Sequence, residues 1–265
     1  MPKRKKIGLA LGSGGARGLS HIGVIKVLEK NNIPIDYIAG TSIGAMIGGV
    51  YAFNKDIKSI EKVFLSTDWK RVVRLTSDVK LFSGGVLAGT KVKDFIKSTL
   101  KSTDNFRSLQ IPFAAVATDL RKGESVVIKS GKLIEAIRAS ISFPGVFLPV
   151  ELNKKILIDG GITNSVPVNV VREMGADIVI AVNLESGGKG SFNPKYKGKN
   201  FYNNLITSVR IMQKSLANYS AHGADIMISP KVNNIYWNEF QKPAGIIKAG
   251  EREAGKSINK IKSYL

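Results

Sequence analysis

Short, wholly apolar runs alternate with stretches of helical spacing along the chain, and glycine-rich turns mark most of the changeovers. Lys6 to Gly12 (KIGLALG) is apolar, short and closed by glycine, the pattern of a strand buried on both faces. The turn Gly12-Ser-Gly-Gly-Ala-Arg-Gly18 leads into a helix in which Leu19, Ile22, Val24, Ile25, Val27 and Leu28 keep helical spacing, ending near Asn31-Asn32 before Pro34. Ile35 to Ala39 predicts a second strand, which runs through Gly40-Thr-Ser-Ile-Gly44 into a Gly- and Ala-rich helix over Ile43 to Phe53.

Residues 55–107 read as mainly helical, with a break at Ser83-Gly-Gly85. Ile111 to Asp119 is a strand that Arg121-Lys-Gly123 turns back into Ser125 to Lys129. A helix around Leu133 to Ala139 precedes a hairpin, Phe147 to Leu152 and Ile156 to Asp159, turning at Asn153-Lys154. Asp177 to Leu184 is another apolar strand, and Ser186 to Asn200, rich in Gly, Ser, Lys and Pro, reads as a mobile surface loop. A long helix from about Tyr202 to Ala221, a strand Asp225 to Ser229 and an amphipathic helix from about Pro243 to Ile261 follow. This order predicts an α/β fold with a mostly parallel central sheet and helices on both faces. We expect a single domain over 1–265, with a core at about 5–185, a loop at 186–200 and a helical region at 201–265.

Composition narrows the class. The 265 residues are 43% hydrophobic and include no cysteine, which excludes a disordered chain and a disulfide-built module and fits a cytoplasmic setting. The longest weakly polar run, Ile43 to Phe53, is short of the about 18 residues a membrane span requires. The basic Met-Pro-Lys-Arg-Lys-Lys start resembles that of a signal peptide. Ile7 to Leu11 is too short for the hydrophobic region of one, so a solvated tail entering a strand is expected. The net charge of +20 attracts polyanions, whether nucleic acid, an anionic membrane or acidic substrates, or reflects lysine used for solubility.

Gly40-Thr41-Ser42-Ile43-Gly44 matches the Gly-x-Ser-x-Gly nucleophile elbow and falls between a predicted strand and helix, as that chemistry requires. The alternative is a serine capping the helix. The Gly12 to Gly18 turn departs from both the dinucleotide fingerprint and the P-loop. It suits an oxyanion hole, in which the amides of Gly14 and Gly15 face a carbonyl oxygen and Arg17 adds positive charge, or a tight strand-to-helix turn. Only His21 and His222 could serve as imidazole bases. The order Ser42, Asp159, His222 formally suits a triad, but His222 lies near a helix end and His21 one turn into the first helix, where structural roles are the default. Asp159, ending Ile-Leu-Ile-Asp-Gly-Gly, is the preferred base, since partial desolvation there raises its proton affinity. Asp119 competes with it, and either aspartate could simply cap a turn. No His, Asp and Glu cluster has metal-ligand spacing, so neither metal nor cofactor is expected.

These motifs together resemble the patatin-like phospholipase family, specifically its compact bacterial members. Gly14-Gly15-Ala16-Arg17-Gly18, the Ser42 elbow and Asp159-Gly160-Gly161 fall in the family's order, and the resemblance spans residues 5 to about 185. It implies a three-layer α/β/α fold and a Ser42–Asp159 dyad without a catalytic histidine, with the amides around Gly14 and Gly15 as oxyanion hole beside Arg17. Ser13 departs from the family, which usually has a further glycine there; its backbone N–H could still donate. The implied activity is lipid acyl hydrolysis of phospholipid or lysophospholipid at an anionic membrane, by a protein peripheral on the inner face.

Two other functions compete. One is a small-ester esterase or thioesterase on the same scaffold. The other is a non-catalytic basic binding protein, but the basic residues are dispersed without interleaved stacking aromatics, so no nucleic-acid partner is expected. Trp69 to Leu75 could form an interfacial element or an ordinary helix, and Lys248, Arg252, Lys256, Lys260 and Lys262 give the last helix a basic face.

Overall fold

A computed structural model of the chain describes residues 4–67, 105–186, 198, 200–232, 235–236 and 238–265. The Trp69 to Leu75 segment, the Ser83-Gly-Gly85 break and most of the Ser186 to Asn200 loop lie outside the described residues.

Eight strands form one sheet in the order β5-β6-β3-β2-β1-β7-β8, with β4 also paired to β3. β1 (Ile7–Leu11), β2 (Tyr37–Thr41), β3 (Phe113–Asp119), β7 (Ile178–Val182) and β8 (Ile226–Ile228) are the parallel part. β4 (Glu124–Ile128), β5 (Val150–Leu152) and β6 (Lys155–Asp159) join antiparallel, so the expected parallel sheet is mixed at one end. Chain economy explains the difference. The β5–β6 turn is only two residues, Asn153 and Lys154, both at positive φ (51° and 63°), a connection that joins antiparallel strands alone.

The central strands are largely apolar because both faces are covered, and alternate residues feed two separate cores. Leu9, Leu11, Ile38, Phe113, Ile180 and Val182 face one core. Helices α1 (Ser20–Lys30), α2 (Ile43–Asn54), α3 (Ile57–Ser66), α4 (Leu133–Ser140) and α7 (Pro243–Lys262) close it. Ala10, Ala39, Ala114, Val116, Val179 and Ala181 face the other, under α5 (Val168–Glu173) and Ala217 of α6 (Phe201–Ser220). This is the three-layer arrangement expected. The six-residue α5, opened by Pro167, is too short to leave a periodic signal in the sequence.

Helices α1 and α7 cross closely because a side chain at Gly23 or Gly250 would lie 2.0 Å from the carbonyl oxygen of Ile247 or Ser20. That contact leaves Lys248, Arg252, Lys256, Lys260 and Lys262 on the exposed side of α7, as the sequence pattern predicts. Among the described residues, no helix is long and apolar enough to cross a membrane.

Candidate active site

The pairing of β3 brings two distant strand ends together. Ala115 pairs with Gly40 of β2 and with Ile128 of β4, so those strands take opposite edges of β3. Ala117 pairs with Val126 of β4 and with Asp159 of β6, so β6 takes the edge that β2 leaves. β2 ends at Thr41 opposite Val116, while β6, running the other way, ends at Asp159 opposite Ala117. Ser42 and Asp159 therefore meet head to head although 117 residues separate them.

The Ser42 turn is tightly constrained. Ser42 sits at φ 57°, ψ −124°, a conformation that costs a non-glycine residue roughly 1–3 kcal/mol. A Cβ at Gly40 would lie 2.4 Å from the carbonyl oxygen of Gly44, and one at Gly44 would lie 2.2 Å from that of Leu11. Both elbow glycines are thus demanded by backbone approach. Thr41 Oγ1 donates to the carbonyl of Asn164 at 2.9 Å, and the Ile43 side chain fills the space that a Cβ on Gly18 would need. The N–H of Ser42 donates to Ser140 Oγ at 2.9 Å, and the Ser140 hydroxyl donates to the Val116 carbonyl at 2.6 Å. Fully buried Ser140 thereby pins the nucleophile turn to the point on β3 where the two strands meet.

Ser42 Oγ donates to Asp159 Oδ2 at 2.6 Å, and Asp159 Oδ1 accepts from the N–H of Gly161 at 2.7 Å. The carboxylate has no solvent exposure. Burial pushes its pKa up to about 6, against the lowering effect of those two hydrogen bonds. Thr118 Oγ1 donates to the Asp159 carbonyl at 3.0 Å, so in its 2.8 Å contact with Thr163 Oγ1 it is the acceptor. Gly160 has no room for a side chain, since a Cβ would lie 2.2 Å from the Val116 carbonyl oxygen. A Cβ on Gly161 would lie 2.5 Å from Gln213 Nε2, which places α6 against the turn that carries the carboxylate.

The glycine-rich loop lies beside the elbow. Gly12 N–H donates to the Val182 carbonyl at 3.1 Å, and Gly15, at φ 58°, opens a 3₁₀ turn over Gly15–Leu19 that includes Ala16, Arg17 and Gly18. The N–H groups of Gly14 and Gly15 have no acceptor among the described residues.

One expectation about this loop is corrected. The Ser13 N–H is committed to the Ser165 carbonyl at 2.9 Å, so it does not donate to a substrate oxygen. The Ser13 hydroxyl contacts Ser165 Oγ at 2.6 Å, giving serine a structural reason to replace glycine. Arg17 is fully buried, paired with Glu185, and donates from Nε to the Gly14 carbonyl at 3.3 Å. From inside the protein it holds the loop in shape, with Glu185 as its counter-charge. Arg210 of α6 lies 3.8 Å from the same Glu185 oxygen. Burial, then the Arg17 charge, pulls the Arg210 pKa down to about 10, partly offset by Glu185.

Neither histidine reaches Ser42. His21 is buried with Nε2 bonded to the Gly12 carbonyl at 2.8 Å, and burial pulls its pKa down to about 4, so it is a neutral structural group. His222 is exposed in the turn after α6, and both Asp159 oxygens are already occupied by Ser42 and Gly161. Asp119 accepts from Arg121 N–H at 3.0 Å and caps the β3–β4 turn. Among the described residues no cluster could hold a metal ion.

Sequence reasoning missed Ser140, Ser165, Thr118 and Gln213. Ser140 had one signal, the small hydroxyl residues of Ala139-Ser-Ile-Ser142 between a helix and Pro144. The others act through contacts that no local pattern encodes.

Residues 9–172 match the patatin-like phospholipase family. An uncharacterized NTE family protein of Mycobacterium tuberculosis is 40% identical over 185 residues, covering 70% of this chain and 51% of the relative. Lysophospholipase NTE1 of Kluyveromyces lactis is 36% identical over 188 residues, 68% of this chain and 13% of the yeast protein. The chain thus spans about half the length of the mycobacterial relative, and much less of the yeast one. The crystal structure of VipD from Legionella pneumophila superposes with a TM-score of 0.57 at 16% identity, over 98% of this chain and 67% of that one, a likeness of fold.

Proposed function

The chain belongs to the patatin-like phospholipase family, and from that premise we propose that it is a serine lipid acyl hydrolase using Ser42 and Asp159 at a membrane surface. The observation that carries the reading is the 2.6 Å hydrogen bond from Ser42 Oγ to a fully buried carboxylate, with no imidazole available to take its place.

Asp159 accepts the Ser42 proton as Oγ attacks the ester carbonyl carbon. The resulting oxyanion is held by the unpaired amides of Gly14 and Gly15, and the N-terminal dipole of α2 favours negative charge at the same turn. Collapse breaks the ester C–O bond, and the leaving alkoxide takes the proton from Asp159. Water then attacks the acyl-enzyme, giving its proton to Asp159, and fatty acid leaves as the proton returns to Ser42. A carboxylate whose pKa is pushed up to about 6 is ionised at neutral pH yet basic enough for this exchange.

The yeast relative's name, lysophospholipase, supports a lysophospholipid as substrate. The net charge of +20 supports an anionic bilayer as the place of action, at about 1 kcal/mol of attraction per basic residue near the surface. The test is labelling by a fluorophosphonate probe, alongside fatty-acid release from lysophosphatidylcholine. The native protein is labelled and active, and Ser42→Ala is neither. Equal labelling of the two removes Ser42 as nucleophile.

A further inference from the structure

Helix α6 has two unlike sides. Ile206, Arg210, Gln213 and Ala217 are buried; Gln213 abuts Gly161 of the Asp159 turn, and Ile206 Cδ1 would lie 2.9 Å from a Cβ on Gly145. Tyr202 donates its hydroxyl to the Gly145 carbonyl, and Asn200 caps the helix by accepting from Asn203 N–H at 2.9 Å. The helix is therefore anchored against the loops around Asp159 and is not free to turn.

Its other side is apolar and, among the described residues, uncovered. Phe201 is 83% exposed, Leu205 51%, Met212 63% and Tyr219 80%. At 3.6 residues per turn these four fall within about 40° of one another and run for roughly 27 Å along the helix, with Val209 and Leu216 half-exposed beside them. No charged residue lies on this stripe, since the helix's only charges are the buried Arg210 and the half-buried Lys214. Leu148, close to the Gly145 loop that α6 grips, adds a further 45% exposed side chain. An uncharged row of this length on a protein surface marks a contact site.

We propose that this face of α6 is the surface by which the protein docks on an anionic lipid bilayer, its apolar row entering the headgroup region beside the active site. The assignment rests on the lipid-hydrolase reading above and names the partner surface of that same site. Charge decides between lipid and a second copy as the occupant. Two chains of +20 repel each other, whereas an anionic bilayer attracts one, and the apolar row then supplies insertion that charge alone does not. Docking by this face leaves the Asp159 turn on the far side of the same helix, about 10 Å behind the lipid from which substrate is drawn.

The test uses the full chain and its Leu205→Gln/Met212→Gln variant, which keeps helix propensity and adds no charge. Sedimentation with phosphatidylglycerol vesicles reads binding, and p-nitrophenyl butyrate in solution reads the catalytic site. We expect vesicle affinity to fall about a hundredfold, since each of the two lost apolar insertions is worth about a factor of ten, with soluble-ester hydrolysis unchanged. Vesicle affinity of the variant within about twofold of the parent overturns the proposal. A dimeric parent and a monomeric variant that still binds vesicles also overturns it, and assigns the face to a second copy. Should the parent fail on the soluble ester while its vesicle binding falls as expected in the variant, the docking surface stands and the catalytic reading fails.

Discussion

Ser42 and Asp159 end two strands on one edge of β3, yet their turns are built on opposite principles. The Ser42 turn is held by backbone geometry: a positive φ of 57°, glycines at 40 and 44 pressed against carbonyls, and an N–H tied to Ser140. The Asp159 turn also presses a glycine, Gly160, against a carbonyl, but Asp159 itself is unstrained at φ −50°, ψ 131°, and what sets it apart is electrostatic, a carboxylate with no exposed surface whose pKa is pushed up to about 6. Backbone places the nucleophile, and environment tunes the base. Damage to the first turn should therefore change rate or folding and leave the pH dependence alone, while damage to the second should change the pH dependence of both activity and stability.

The largest effect is expected for Asp159→Asn, which removes the proton acceptor and lowers ester hydrolysis by roughly a thousandfold or more. The same substitution should stabilise the fold. The folded state holds the Asp159 proton more tightly than the unfolded chain, whose pKa is near 3.8, so stability is lost as pH rises from there through about 6 and is not regained above it. The gap between those values corresponds to a cost on the order of 3 kcal/mol at neutral pH, which asparagine avoids. Urea unfolding should show Asp159→Asn ahead of the parent at neutral pH and the two converging near pH 4. A neutral-pH stability no greater than the parent's would contradict the buried, raised carboxylate.

Gly44→Ala attacks the other turn through sterics. Its Cβ would meet the Leu11 carbonyl oxygen at 2.2 Å, an overlap with backbone that no side-chain adjustment relieves. Urea unfolding is expected to lose about 3 kcal/mol or more. Unchanged stability would mean that the elbow is not the close backbone packing described.

Ser140→Ala should be the mildest. Losing the partner of the Ser42 N–H is expected to lower kcat about tenfold with KM nearly unchanged. Because Ser140 hydrogen-bonds Ser42 N–H and the Val116 carbonyl, not the Asp159 carboxylate, the pH midpoint of activity should stay where it is. A shifted midpoint would show that the two turns are not separable in this way.

The same contrast explains what the sequence disclosed. The parallel strands were legible because β1 and β7 are unbroken apolar runs, and the Ser42 elbow because strain demands glycines at fixed offsets within five residues. Asp159 was legible as a strand-end acid before two glycines, but its burial was not, since the glycine turn after it packs against Val116, Ser13 and Gln213 lying far away in the chain. The pairing of Arg17 was hidden for a related reason, since only the fold puts Glu185, 168 residues later, against it. Ser140 reaches Ser42 across 98 residues, a distance at which no periodicity or motif carries information.

In the proposed mechanism a buried carboxylate alone, without histidine, activates Ser42. The most direct test is the pH dependence of kcat/KM for a soluble p-nitrophenyl ester, which needs no lipid surface. The account predicts a rise through a single ionisation centred near 6 and a plateau above it, unchanged in His222→Gln. A flat profile across that range, or a rising limb that vanishes in His222→Gln, would contradict it.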